Sequence, residues 1–185
     1  MVEENGTPRE YIKSRAELAS PDTDWETSWR RARLKGLGTE ATSFLWKTMH
    51  NILPTEQRLA RILPNSSQNC KYCPTPTPAN LLHCFFECVN TREAGSWLLA
   101  MLQQQDPSLS ASGLLKLEFQ ADESQEMPLV WLAAQTLLYT WGIRASGKVV
   151  NLLTTRSVLE SKINLLRETR YTIEHQLITQ IFMNS

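Results

Sequence analysis

Residues 70–88 read CKYCPTPTPANLLHCFFEC and contain all four cysteines of this 185-residue chain. Their pattern is C-x2-C-x9-H-x4-C through Cys70, Cys73, His83 and Cys88. Three thiolates and one imidazole are a typical ligand set of a four-coordinate zinc ion. The prolines between the two halves stiffen the connecting loop and remove backbone donors from it. We therefore predict that this stretch folds around one zinc ion.

Cys84 leaves the choice of ligands open. Cys84 and Cys88 are spaced i, i+4, so on a helix they would share one face and could supply the second ligand pair without His83. His83 is favoured because it begins the segment after Asn80 and can reach back to the first pair, whereas Cys84 has apolar neighbours. The segment 81–89 could also be a core helix in which both cysteines are small hydrophobic residues. Disulfide pairing is less favoured, since no secretory signal is apparent.

The composition is that of a globular protein, with 42% hydrophobic and 21% charged residues. Nineteen basic residues balance nineteen acidic ones, so the charge of the whole molecule attracts neither nucleic acid nor a membrane. No apolar run reaches the length of about 18 residues that a membrane helix needs. The N-terminus is acidic where a signal peptide is cationic. We expect a nuclear or cytoplasmic location, where thiols stay reduced.

Motifs of catalysis are missing from the sequence. It contains no G-x-x-x-x-G-K, no G-x-G-x-x-G and no G-x-S-x-G. Four protein ligands would also close the zinc shell, whereas a catalytic zinc keeps one position for water. We expect the protein not to be an enzyme by itself, with zinc in a structural role.

Helical periodicity predicts a mainly α protein. Asp24, Thr39 and Thr55 are expected to cap its first three helices, and the six tryptophans mostly recur at helical spacing, as core residues do. Pro128 suits the first turn of a long apolar helix, and the segment 148–182 reads as a last helix packed against it.

These signals divide the chain into four segments. We predict a flexible N-terminal arm (1–22), a small helical zinc-binding domain with an embedded single-zinc CCHC loop (23–106), a linker with a short helix (107–127) and a C-terminal helical hairpin (128–185).

Basic and acidic residues balance over the whole chain, but one segment carries an excess of basic residues. Between residues 28 and 73, eight basic residues face two acidic ones, a balance of plus six. Such a cluster could neutralise phosphates and bind nucleic acid in a salt-dependent way, or it could be the solvated side of ordinary helices. The predicted phosphate contacts are Arg30, Arg31, Lys35, Arg58, Arg61 and Lys71.

The order of motifs across residues 44–88 resembles that of a known family. A tryptophan-containing run (Phe44–Lys47) precedes Leu53-Pro54-Thr55, Arg58-Leu59, the cysteine pair and the histidine-aromatic-cysteine segment. This order resembles the zinc-binding region found downstream of the reverse transcriptase in non-LTR (LINE-type) retrotransposon polyproteins. The spacing differs from the retroviral zinc knuckle, in which four residues and not nine separate the second cysteine from the histidine.

The resemblance implies a zinc-bearing module that helps such polyproteins hold RNA or DNA. The polymerase itself is absent, and the acidic residues do not form the endonuclease pattern that some related elements carry. Two hypotheses follow: a nucleic-acid-binding accessory module, or a zinc-stabilised structural domain whose C-terminal helices bind a protein partner.

Overall fold

The computed structural model describes residues 23–166 and 172–184 of the chain, and within these ranges the regular structure is helical. The mainly α fold is therefore confirmed, while the predicted arm (1–22) lies outside the described residues. The helices are α1 (Trp25–Arg31), α2 (Thr39–Met49), α3 (Glu56–Ala60), a π-helical turn (His83–Glu87), α4 (Arg92–Gln103), α5 (Ala111–Lys116), α6 (Glu123–Ala145), α7 (Leu152–Leu166) and α8 (Thr172–Met183).

Two of the three predicted helix caps are confirmed. The side chains of Asp24 and Thr55 accept hydrogen bonds from the backbone N–H of the third residue after each. The prediction for Thr39 was wrong, because Gly38 occupies the cap position with φ of 81°. Glycine adopts this left-handed conformation without steric cost, so the chain turns at Gly38 and Thr39 is already helical.

The position of Pro128 was also predicted wrongly. Helix α6 begins at Glu123, and the side chain of Asp122 caps it by accepting from the backbone N–H of Gln125. Pro128 therefore lies inside the helix, where its ring removes the hydrogen bond to the carbonyl of Ser124. The predicted last helix, 148–182, is replaced by α7 and α8, and residues 167–171 between them lie outside the described part.

Helix α6 lies at the centre of the protein. Its residues 128–137 are all buried, and it packs against α1, α2, α4, the π-helical turn, α7 and α8. One continuous cluster of buried hydrophobic residues extends from Ala32 to Phe182. The predicted division at 23–106, 107–127 and 128–185 stays a prediction, and residues from all three of these segments contribute to this one core.

Helix α4 approaches the π-helical turn so closely at Gly95 that a side chain has no space. A Cβ atom at Gly95 would overlap the backbone carbonyl oxygen of Phe85. A backbone oxygen cannot rotate away as a side chain could, so this contact requires glycine. A Cβ atom at Gly142, in the interior of α6, would meet no described atom within 4 Å other than those of its own helix backbone and chain neighbours.

Alanine at the two positions should therefore have opposite effects. We expect Gly95→Ala to lower the free energy of unfolding by about 1–3 kcal/mol, the usual cost of overpacking. Gly142→Ala should raise it by about 0.5–1 kcal/mol, because alanine is the better helix former. Urea unfolding of the zinc-loaded variants measures both. Equal stability of the two variants would contradict the close contact at Gly95.

Candidate metal centre

The first two candidate ligands, Cys70 and Cys73, lie at the start of a loop whose ends are held together. The backbone N–H of Cys70 donates to the carbonyl of Thr77 at 2.8 Å. Asn69 and Pro78 form an antiparallel bridge across the same loop. The proline-rich stretch therefore returns the chain to the cysteine pair before the second half of the motif begins.

The π-helical turn brings the other two candidate ligands, His83 and Cys88, to one side. Asn80 starts this turn, since its side chain accepts from the backbone N–H of His83 at 2.8 Å. The turn closes with a hydrogen bond from the N–H of Cys88 to the carbonyl of His83, five residues back. In an α-helix, residues five apart point about 140° away from one another. The wider π-helical turn reduces this angle, so His83 and Cys88 can face the same point. The sequence carried no signal for a π-helical turn.

The four donor atoms lie together, all within 4.8 Å of one another. The sulfurs of Cys70 and Cys88 are 3.5 Å apart, and the sulfur of Cys73 is 3.4 Å from Nε2 of His83 and 3.9 Å from the sulfur of Cys88. Around a tetrahedral zinc ion, two sulfurs lie about 3.8 Å apart and a sulfur and a nitrogen about 3.5 Å apart. The arrangement thus fits one zinc ion.

Cys84 does not belong to this group. It is fully buried, and burial raises the pKa of its thiol to about 12. Its side chain packs in one buried cluster with Ala79, Cys70 and Cys88. The i, i+4 spacing that made Cys84 an alternative ligand holds for an α-helix, and this segment is not one.

The ionisation of two donors, His83 and Cys70, suits metal binding, whereas that of Cys88 opposes it. Burial lowers the pKa of His83, which keeps the imidazole in the neutral form that binds metals. At Cys70 burial acts to raise the thiol pKa, but hydrogen bonds from the backbone N–H of Tyr72 and from Cys88, together with the charge of Arg144, bring it below its usual value. Burial raises the pKa of Cys88 to about 12, so a metal must displace its proton.

The second ring nitrogen of His83 faces a carboxylate. Nδ1 is buried without a hydrogen-bond partner among the described residues, and the nearest carboxylate oxygen, from Glu87, lies 3.7 Å away. Binding of zinc through Nε2 places the ring proton on Nδ1, and carboxylates commonly accept that proton at zinc sites. Glu87 is therefore positioned to orient the His83 ring.

Arg144 is a contributor to this centre that the sequence did not reveal. It comes from the end of α6, is 3% exposed and directs Nη2 towards the sulfur of Cys70 at 3.6 Å and a carboxylate oxygen of Glu56 at 2.8 Å. Its guanidinium lies 4.9 Å from the centre of the Tyr72 ring, whose hydroxyl donates to the Arg144 carbonyl. Three thiolates and Zn²⁺ sum to one negative charge, and this cation, which the site shares with Glu56, makes the potential beside Cys70 less negative.

The predicted phosphate contacts separate in the structure. Arg31 is 5% exposed and donates to Glu126 and to the carbonyl of Leu117. Arg30 forms two 2.6 Å hydrogen bonds to the same carboxylate. Arg31 is thus a buried structural cation, and the phosphate contact predicted for it needs correction. Arg30 is paired but 52% exposed, so its phosphate contact stays a prediction.

The other four predicted contacts remain at the surface to different degrees. Lys35, Arg61 and Lys71 are exposed, and Arg58 is half-buried and donates to the carbonyl of Asn51. Lys71 directly follows the first candidate ligand and lies over the Tyr72 ring.

The helical fold and the Cys3His cluster together define a zinc-binding domain. The model of a family described as zinc-binding in reverse transcriptase matches residues 11–94, which include all four donors. This part of the chain is similar to that zinc-binding domain. The resemblance drawn from the motif order to a zinc-binding region associated with reverse transcriptases is confirmed, while its LINE-type origin stays a prediction. No curated protein and no solved structure matches the chain.

None of the described helices is both long and apolar enough to cross a membrane. Even the 23-residue α6 does not meet this condition.

Proposed function

We propose that the protein is a non-catalytic accessory module that binds RNA or DNA through phosphate contacts, in a region like the C-terminal part of a LINE-type retrotransposon polyprotein. The observation that carries the proposal is the match of residues 11–94 to a zinc-binding domain of reverse transcriptases. A reverse transcriptase has nucleic acids as template and product, so a domain attached to it is well placed to hold them. A nuclear or cytoplasmic location, where the thiols stay reduced, belongs to the same proposal.

Zinc in this proposal is structural, with Cys70, Cys73, His83 and Cys88 as its ligands. The ion would join the proline-rich loop to the π-helical turn, and four protein ligands leave no open position for a reacting water. The residues between 56 and 78 contain one buried side chain, that of Cys70, so this stretch cannot be ordered by a core of its own. Metal binding would supply the missing stabilisation.

The phosphate contacts are proposed on a surface beside the loop that carries Cys70 and Cys73. This surface is formed by Arg58, Arg61 and Lys71. Arg58 and Arg61 are three residues apart at α3, and Lys71 lies between the first two candidate ligands. Three thiolates and Zn²⁺ sum to one negative charge, and the nearby Arg144 is paired with Glu56, so attraction to phosphate must come from these side chains. Lys35, which is exposed in the turn after α1, is proposed as a fourth phosphate contact.

A double substitution tests this surface. Arg58→Ala combined with Arg61→Ala should weaken binding to all sequences alike, because phosphate contacts carry no base information. It should also reduce the slope of log affinity against log salt concentration by roughly one to two. Fluorescence anisotropy with a labelled single-stranded RNA and a labelled duplex DNA, between about 50 and 200 mM salt, measures both quantities.

The matched control removes two charges elsewhere. Arg92 and Lys148 are exposed positions outside the predicted cluster, so Arg92→Ala with Lys148→Ala should leave the slope near that of the unmodified protein. The proposed surface is wrong if both double variants bind alike while holding zinc. Absence of any binding at low salt would overturn nucleic-acid binding altogether.

A protein-interaction role is the second candidate, favoured by one observation. Val149, Leu153 and Leu165 lie in or just before α7 and are 64–77% exposed, although they are apolar. A partner covering them would make α7 a docking helix, with zinc serving only to hold the fold together. The salt titration separates the two candidates, since this role predicts no binding to either nucleic acid at low salt.

A further inference from the structure

A groove between α1 and α2 combines aromatic rings with positive charge. Its volume is about 660 Å³, and Trp29 and Arg33 line one side while Trp46, Lys47 and His50 line the other. Ligand sites of proteins usually have volumes of about 300–1,000 Å³, so the groove is large enough for a nucleoside. Neither Arg58 nor Arg61, the proposed phosphate contacts at α3, is among the residues that line this groove.

The aromatic rings form a continuous row with one open end. The His50 ring lies between two indoles, with its centre 4.7 Å from that of Trp29 and 4.3 Å from that of Trp46. Trp46 is 47% exposed, although its helical spacing predicted a core residue. The indole of Trp46 is thus half-exposed on one side and packed against the His50 ring on the other. An aromatic ring held in this way can stack against a planar group of a ligand.

The charge of the groove is positive when the described residues that line it are counted. Among the residues that the structure describes, no acidic side chain lines it. Arg33 donates through Nε to the carbonyl of Trp29, and neither Arg33 nor Lys47 has an ion-pair partner among the described residues. Several other basic side chains are paired: Arg30 and Arg31 with Glu126, Lys116 with Glu118, and Arg144 with Glu56. An anionic ligand would therefore find uncompensated cations beside the exposed indole.

We propose that this groove binds single-stranded nucleic acid, with one base stacked on Trp46 and the adjoining phosphates held by Arg33 and Lys47. A duplex keeps its bases stacked on each other, whereas a single strand can turn a base onto an aromatic side chain. The hydroxyl of Ser43, which also lines the groove, can bond to a base edge without selecting one base. The inference rests on the proposed function and specifies the form of nucleic acid that it binds.

Trp46→Ala tests the stacking contact. The protein is titrated into a labelled single-stranded RNA of mixed sequence and, separately, into the duplex of the same sequence. We expect the variant to bind the single strand about 5- to 150-fold more weakly, the range for loss of one stacked base, with little change for the duplex. Trp46→Phe should restore most of the loss because it keeps an aromatic ring, and the salt slope should stay the same in both variants.

Two further variants complete the test. Lys47→Ala should reduce the salt slope for the single strand by about 0.7, the value for one phosphate contact. Leu153→Ala removes an apolar side chain that is 76% exposed on α7 and should change nothing. Zinc content and circular dichroism confirm that each variant is folded.

The outcomes separate this inference from the function on which it rests. If the unmodified protein binds no nucleic acid, both fail. If it binds, but Trp46→Ala behaves like Leu153→Ala or weakens single strand and duplex equally, only the stacking groove is refuted.

Discussion

His83→Ala is expected to abolish stoichiometric zinc binding, while Cys84→Ala should leave it intact. The ring nitrogen of His83 lies 3.4 Å from the sulfur of Cys73 inside the donor cluster, whereas Cys84 is outside that cluster. Loss of an outer-shell partner alone commonly weakens metal binding about 10- to 100-fold, so loss of a direct ligand should exceed that range. Competition with a chromophoric chelator measures the affinity, and elemental analysis gives the stoichiometry.

The consequence for folding should be local. Hydrogen exchange of the metal-free protein is expected to show lost protection across residues 55–90 and retained protection in α6, which is buried in the main core. His83→Ala should reproduce this pattern without a chelator. The ligand assignment would be refuted if Cys84→Ala lost the ion and His83→Ala kept it; unchanged protection over 55–90 would refute the structural role of the metal.

The second large effect concerns Glu126, which joins α6 to α1. Its carboxylate accepts from Arg30 and Arg31 and is 7% exposed. Glu126→Gln would leave the buried Arg31 without its counter-charge, and breaking a buried pair in this way costs about 3–5 kcal/mol of the free energy of unfolding. Chemical unfolding at neutral pH measures this loss. Arg30→Met, at a side chain that is 52% exposed, should cost much less.

The ion pair of Glu126 with Arg30 and Arg31 makes a contribution to the free energy of unfolding that depends on pH. Hydrogen bonds from Arg30 and then from Arg31 hold the pKa of Glu126 below its usual value of 4.5, against the opposing effect of burial. The stabilisation is thus fully present above pH 4.5 and is lost as the pH falls through the lower pKa of the folded state. The difference in stability between the unmodified protein and Glu126→Gln should shrink in acid. A difference that stays constant down to acid pH would contradict the ion pair.

The sequence predicted those features whose signal is local. The spacing of Cys70, Cys73, His83 and Cys88 predicted a cluster, and the structure brings these four together. The caps at Asp24 and Thr55 are equally local, because each is satisfied by a backbone N–H three residues away. Such features need only the near neighbours of a residue, which a single sequence shows.

Features that depend on distant partners could not be predicted in this way. Arg31 looked like a surface cation because Glu126, its counter-charge, is 95 residues away. Arg144 approaches Cys70 across 74 residues, and nothing near either one indicates the contact. The exposed position of Trp46 is a related case, since helical spacing identifies a face but not what covers it.

The contact between Arg144 and Cys70 bears on where the domain ends. The family match stops at residue 94, yet the cation beside the metal cluster comes from residue 144, and α2 packs against α6. A fragment cut at the family boundary would keep every zinc donor while losing the counter-charge of the site and the central helix of its core. The matched region therefore stops short of residues that pack around its own metal cluster, and we expect the part of the chain that folds independently to reach at least the end of α6.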